Sequence, residues 1–388
     1  MGVSARSVVL ILRGIAPSVD AADEAASTIV LAVRAWVVVV VQRGVVRIDD
    51  LSQAVGGIVD VFCGAPRPVG FTDFVIGCVV ACCLGSAVLA STKVHADLSE
   101  NHGRKVARSY LQNLSEAVGN IALAKQDNWH YTTPKLNEPV KTVSIGVDGT
   151  CMLLCKDGYR QAMVGTISLY DTQGERQHTI YIGATPEYGK ATFWLRMKQE
   201  IAQVKKTYPE ALYVGIADGA KDNWSFLKQH TEKQTLDFYH ATADLNGVAS
   251  AAFPRNKEKG QVWLDSKCHE LKHIEGAADN ILDEIKAFKN KKLSKATKQN
   301  LDSSITYFEN HKSEMNYAES IEANLPIGSG VTEAACKTVI KQRLCQSGMK
   351  WIEKGAGIVL SLRTLVLTPG RWQQFWDKIN QYALPVLA

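Results

Sequence analysis

Residues 1–92 contain no lysine, asparagine, tyrosine or histidine, although 29 lysines follow in the rest of the 388-residue chain. The same segment holds 21 valines, six arginines and seven acidic residues, so a compositional seam falls near Lys93. The nine cysteines include no CxxC pair, which removes the common zinc spacings. Their odd number fits a reduced, cytoplasmic chain better than a secreted disulfide framework. Charge of one sign is also scarce: 44 basic against 39 acidic residues leaves +5, which permits nucleic acid as a partner without requiring it. With 46% hydrophobic and 21% charged residues, the chain is neither wholly disordered nor a stapled mini-protein, and its length suits two or three domains.

One uncharged stretch, residues 74–91, just reaches the length of a membrane span. It carries Gly77, Cys78, Cys82, Cys83 and Gly85, adjoins Asp73 and lacks a basic cluster to orient it, all of which argues against spanning. The first residues also lack the basic start and cleavage site of a secretory signal. A buried Val-rich domain built around the run at 37–41 is a second reading of 1–92. The absence of four residue types favours a third, a segment foreign to the remainder, from an altered reading frame or a divergent fusion.

From residue 141 onward the hydrophobic pattern becomes regular. Residues 142–149 (TVSIGVDG), 161–170 and 177–183 read as three strands in meander order, and 190–207 as an amphipathic helix with Phe193, Met197, Ile201 and Val204 on one face. A buried-type strand at 211–217, a helix at 221–231 and a strand at 235–239 (TLDFY) complete a βββαβαβ series. A meander followed by helical crossovers places the first and fourth strands side by side and parallel. Asp148 and Asp218 then fall at neighbouring carboxyl ends, where open α/β sheets collect function. Two adjacent carboxylates repel unless a divalent cation lies between them, and hard oxygen donors select Mg²⁺ or Mn²⁺. A single Asp-Gly more commonly marks only a turn; it is the pair in this strand order that points to a metal.

Residues 325–330 (LPIGSG) form a turn, and 331–346 read as a helix with Ser329 or Thr332 available as cap. Glu333 stands in its first turn, with Lys337 and Lys341 on the same face at i+4 and i+8 and Arg343 nearby. Taken alone, that spacing also describes a solvated Glu–Lys helix. The full string IGSGVTEAACKTVIKQRLCQSGMKW (327–351), however, resembles the acidic-helix signature of insertion-sequence transposases of the ISKra type, within the DDE group with an RNase H-like core. SIGVDGT at 144–150 and IADGA at 216–220 belong to the same resemblance, and DFYH at 237–240 is similar to the D-x-x-H motif of Mutator-like transposases. The likeness extends over about residues 97–380.

The resemblance implies an α/β RNase H-like mixed sheet with flanking helices, formed by 141–250 and 325–388, with a helical insertion at 251–324. It implies Asp148, Asp218 and Glu333 as a catalytic triad holding two Mg²⁺ or Mn²⁺ ions, with Asp237 and His240 as auxiliary residues. It further implies a DNA transposase acting on terminal inverted repeats and target DNA, homo-oligomeric at synapsis and associated with the nucleoid. A structure-specific nuclease and a catalytically idle DNA-binding remnant are the alternatives. Residues 93–140 carry Arg104, Lys105 and Arg108 on a helical pattern that resembles the tail of the family's helix-turn-helix, while the family's usual cysteine pairs are missing upstream. Lys337, Lys341, Arg343 and Trp263 are further candidate DNA contacts, although Trp263 also reads as core. His240 reads as a structural histidine at a strand end, a neutral hydrogen-bonding group near the site or a proton acceptor, ordered by Asp237 three residues earlier. Cys151, Cys155, Cys268, Cys336 and Cys345 read as packing thiols.

Overall fold

The computed structural model describes residues 87, 89–100, 106–290 and 294–383. The Val run, most of the 1–92 segment and 74–91 stretch, Arg104 and Lys105 lie outside the described residues. No helix among those described is long and apolar enough to cross a membrane.

Five strands form one mixed sheet: β1 (Thr142–Leu154), β2 (Gly158–Tyr170), β3 (Arg176–Ala184), β4 (Leu212–Ala217) and β5 (Lys233–Leu236), in the spatial order β3-β2-β1-β4-β5. Strands β1 to β3 are an antiparallel meander, whereas β4 lies parallel to β1 and β5 parallel to β4, so the expected adjacency of the first and fourth strands holds. Parallel pairing needs crossovers, and these are α3 (Ala191–Thr207) and α4 (Lys221–His230). Ahead of the sheet lie α1 (Ser91–Glu100) and α2 (Arg108–Lys125).

Side-chain alternation along β1 assigns each face its layer. Val143, Ile145 and Val147 pack in one core with Phe193, Met197, Ile201 and Val204 of α3 and Trp224 and Leu227 of α4. Met152 and Leu154 face the other way, against Ala335, Val339, Ile340 and Leu344. Those residues belong to α10 (Gly330–Ala335), which continues through a π-helical turn at Cys336–Lys341 and a final turn at Gln342–Leu344. On the same side pack α11 (Glu353–Leu367) and, beyond it, α12 (Arg371–Ala383) with α2. Thus α2 is docked on the body of the protein through Val118 and Ala122, with Arg108 exposed at its start.

Between β5 and α10 come α5 (Phe238–Ala252), α6 (Lys257–His273), α7 (Ala277–Phe288), α8 (Lys295–His311) and α9 (Tyr317–Glu322). Several boundaries differ from the sequence reading, and two of them bear on the acids. β1 runs five residues beyond Gly149 because its end pairs with the start of β2, for example Cys151 with Gln161. The expected strand at 235–239 stops at Leu236: Asp237 caps α5 by accepting from the Tyr239 amide at 2.8 Å, so DFYH opens a helix.

Candidate metal and phosphoryl-transfer site at the strand ends

The last paired residues of β1 and β4 are Gly146 and Ile216, so Asp148 and Asp218 each stand two residues further along neighbouring strands. Ala217 pairs with Leu236, which puts Asp237 beside Asp218 in the same way. Asp218 and Asp237 thus directly follow the adjacent strands β4 and β5, whereas Asp148 lies within β1, two residues past its last pairing with β4, because β1 continues to Leu154; the expected strand end at Asp148 is the end of the β4-paired part of β1 only. The separation of these aspartates across the sheet is set by strand spacing, about 4.8 Å from one strand to the next in a regular ladder.

Helix α10 is laid along the even face of β1. A Cβ on Gly146 would overlap the Thr332 hydroxyl, so only glycine admits the helix this close. Thr332 in turn shares a 2.7 Å hydrogen bond with Thr166 on β2. One turn later, Cys336 Sγ donates to Asp148 Oδ2 at 3.3 Å. Burial and the neighbouring Asp148 carboxylate push the thiol well above the ordinary cysteine range, so it stays protonated and acts as a donor. Cys336 is therefore not merely a packing thiol. Cys151, Cys155 and Cys345 are exposed and Cys268 is half-buried, which corrects the packing assignment for the first three.

Asp218 accepts from the Ala220 amide at 3.1 Å and, more distantly, from Asn223 Nδ2 at 3.5 Å. Gly219, at φ +101°, carries the chain away from it, and His311 and Tyr307 of α8 close over that glycine. Tyr307 donates to the Asp218 carbonyl at 3.3 Å, so the helical insertion bears directly on the strand ends. Burial, then Asp244, Asp218 and Asp237, raise the Tyr307 pKa, which keeps its hydroxyl a donor.

Glu333, 47% exposed, leans toward β5. Ser329 Oγ donates to Asp237 through a short hydrogen bond and lies 3.4 Å from Glu333 Oε1. His240 Nδ1 is 3.3 Å from Asp237 Oδ2 and 4.0 Å from Glu333 Oε1. Among the described residues, the set of three candidate ligands whose donor atoms all lie within 4.8 Å of one another is Asp237, His240 and Glu333. Asp148, Asp218 and Glu333 do not form such a set; tethered through Ser329, Glu333 joins the pair expected to be auxiliary instead.

Among the described residues, no Lys or Arg makes an ion pair with Asp148, Asp218, Asp237 or Glu333; His240 is the one basic partner of the last two. The carboxylates of Asp237 and Glu333 are hard-oxygen donors of the kind that a divalent ion such as Mg²⁺ or Mn²⁺ takes, and the His240 imidazole beside them is acceptable to Mn²⁺.

Of the expected DNA contacts, Lys337 and Lys341 are exposed on α10. Arg343 is buried, its guanidinium 5.4 Å from the centre of the Trp351 ring, and burial lowers its pKa; it does not face a phosphate. The cause is the π-helical turn, whose wider pitch shifts the helical phase after Lys341. Trp263 is also core: it is buried, donates to Glu284 at 2.7 Å and packs with Phe253 and Phe288. Asn223, Ser329 and Cys336 are the site residues that the sequence reading assigned no role in holding the acids. Only the closeness of Asn223 to Asp218, five positions on in IADGAKDNW, hinted at one of them. No protein-family model and no curated protein matches the chain.

Proposed function

We propose that the chain is a DDE-type DNA transposase with an RNase H-like catalytic core, cutting phosphodiester bonds at the ends of an insertion sequence and joining them to target DNA. One observation carries the reading: Asp148 and Asp218 each lie two residues past the last pair, Gly146 with Ile216, of the adjacent parallel strands β1 and β4, with the helix of Glu333 packed on β1 at Gly146. The mixed five-strand sheet and its flanking helices are compatible with that core, and the α10 sequence is where the resemblance to ISKra-type enzymes is densest.

Bound divalent cations, Mg²⁺ or Mn²⁺, supply activation of the attacking oxygen and stabilisation of the leaving one. Asp148 and Asp218 would hold them together with Glu333, whose carboxylate in this structure groups with Asp237 and His240 rather than with those two aspartates. The chain contributes the rest. The Cys336 thiol orients the Asp148 carboxylate. Asp237, fully buried, accepts from the His240 imidazole at Nδ1, which fixes the tautomer and leaves Nε2 free to accept a proton or hydrogen bond from substrate at a 45% exposed position. Lys337 and Lys341 offer phosphate contacts that weaken with salt.

The test incubates the full chain with labelled terminal-repeat DNA, a plasmid target and Mg²⁺ or Mn²⁺. Nicked and joined products, abolished by chelator and by Asp148→Ala, are expected. Cutting without joining would identify a structure-specific nuclease instead, and DNA binding without metal-dependent turnover an idle remnant.

A further inference from the structure

Asn223 is a polar side chain in a place that its helix otherwise fills with apolar ones. It lies in the first turn of α4, is 5% exposed, and is followed by buried Trp224 and Leu227, which pack into the core beneath the sheet. Its Nδ2 reaches two elements: the Val147 carbonyl of β1 at 3.4 Å and the Asp218 carboxylate at 3.5 Å. Val147 immediately precedes Asp148. Among the described residues, Asn223 is the one side chain hydrogen-bonded to the chain on both sides of the Asp148–Asp218 gap.

Both neighbours are acceptors, so the amide has one permitted orientation: turned over, Oδ1 would face a carbonyl and a carboxylate. With Nδ2 committed to them, Oδ1 is buried and has no partner among the described residues. A buried acceptor without a partner favours an incoming donor, and a water of a hydrated divalent cation is one.

We propose, resting on the metal-dependent reading above, that Asn223 is a positioning residue. It fastens Asp218 to β1 at Val147 and thereby sets the separation of Asp218 from Asp148 before a cation binds. Asp148 is steadied from the other layer by Cys336, so the two acids are held from opposite faces of the sheet. Without Asn223 the Asp218 side chain keeps its bond from the Ala220 amide but loses its tie to β1.

The experiment titrates the full chain with Mn²⁺ and follows free Mn²⁺ by electron paramagnetic resonance, for wild type, Asn223→Ala, Asn223→Leu and Asp148→Ala, with melting curves in chelator for each. Leu fills the volume left by the amide beside Trp224 and Leu227, so it keeps the packing if Ala does not. Both Asn223 variants should weaken Mn²⁺ binding about tenfold, as loss of a residue supporting a metal ligand typically does. The Mg²⁺ concentration for half-maximal cleavage should rise by the same factor, with DNA binding in chelator unchanged. Wild-type Mn²⁺ affinity in a folded Asn223 variant overturns the positioning role while the proposed function stands, provided Asp148→Ala has lost the ion. If wild type itself binds no Mn²⁺, the metal-dependent reading falls and this role falls with it.

Discussion

Acids are treated differently at two places on the same sheet. Beside β3, Glu200 of α3 meets Arg371 of α12 in a bidentate pair, with Nη1 to Oε1 at 2.7 Å, and Arg196 donates to Asp127 at 2.6 Å and to the Gly183 carbonyl at 3.2 Å. At the carboxyl ends of β4 and β5 and beside them on β1, three aspartates and Glu333 meet no described lysine or arginine. The chain thus has cations to spend on its half-buried carboxylates and spends them away from the strand ends. Charge matched by charge holds layers together; the carboxylates without a cationic partner are the ones on which the proposed divalent site rests.

The sharpest way to break this contrast is Asp148→Ala. Metal-dependent cleavage should fall by roughly three orders of magnitude or more, the scale of losing a principal transition-state contact, while the melting temperature hardly changes. Wild-type rates in that variant would end the assignment of Asp148.

At the paired end, Arg371→Met should do the reverse. Stranding Glu200 without its cation costs about 3–5 kcal/mol in denaturant unfolding, with any residual cleavage retaining its normal metal dependence. A loss below 1 kcal/mol would show that the pair is ornamental and the contrast empty.

Between them stands Gly146→Ala, which forces Thr332 and α10 away from β1 and should cost about 1–3 kcal/mol by overpacking, with cleavage falling alongside because Glu333 rides on that helix. Preserved activity at reduced stability would separate the helix from the chemistry.

The smallest expected effect is a pH dependence beside the paired end. Burial, and then Arg371, lower the His178 pKa, and Nε2 of this buried histidine has no partner among the described residues. The unfolded chain therefore binds that proton more tightly, so stability is complete above about pH 6.5 and declines as pH falls below it. His178→Gln should flatten the fall between about pH 6.5 and 5; an unchanged slope assigns it to His230 and His311, whose pKa values burial also lowers.

Much of the strand framework was legible because its signals are local. TVSIGVDG and ALYVGIA are apolar, β-branched runs ending at Asp-Gly, and the meander followed by a crossover placed those ends together before any coordinates. DFYH misled for a local reason as well: TLDFY alternates like a strand, and nothing within five residues says that Asp237 will turn back to cap Tyr239. Arg343, expected near the Glu333 face from its closeness in sequence, is buried because the helix widens at Cys336–Lys341, where Arg363 of α11 bonds the Thr338 and Val339 carbonyls. The Cys336 contact to Asp148 and the Asn223 tie to Val147 depend on how a helix is rotated and slid over a strand, which no short-range pattern records.

The sequence by itself determined which residues alternate, that β4 stops at Asp218, and that a helix beginning near Ser329 carries Glu333 in its first turn. Tertiary packing decided which acids share an edge, which cysteine faces Asp148, and that Glu333 leans toward Asp237 and His240. The division is physical: periodicity and capping act over a few bonds, whereas the phase of one element against another is fixed only when distant side chains such as Thr332 and Gly146 compete for the same space.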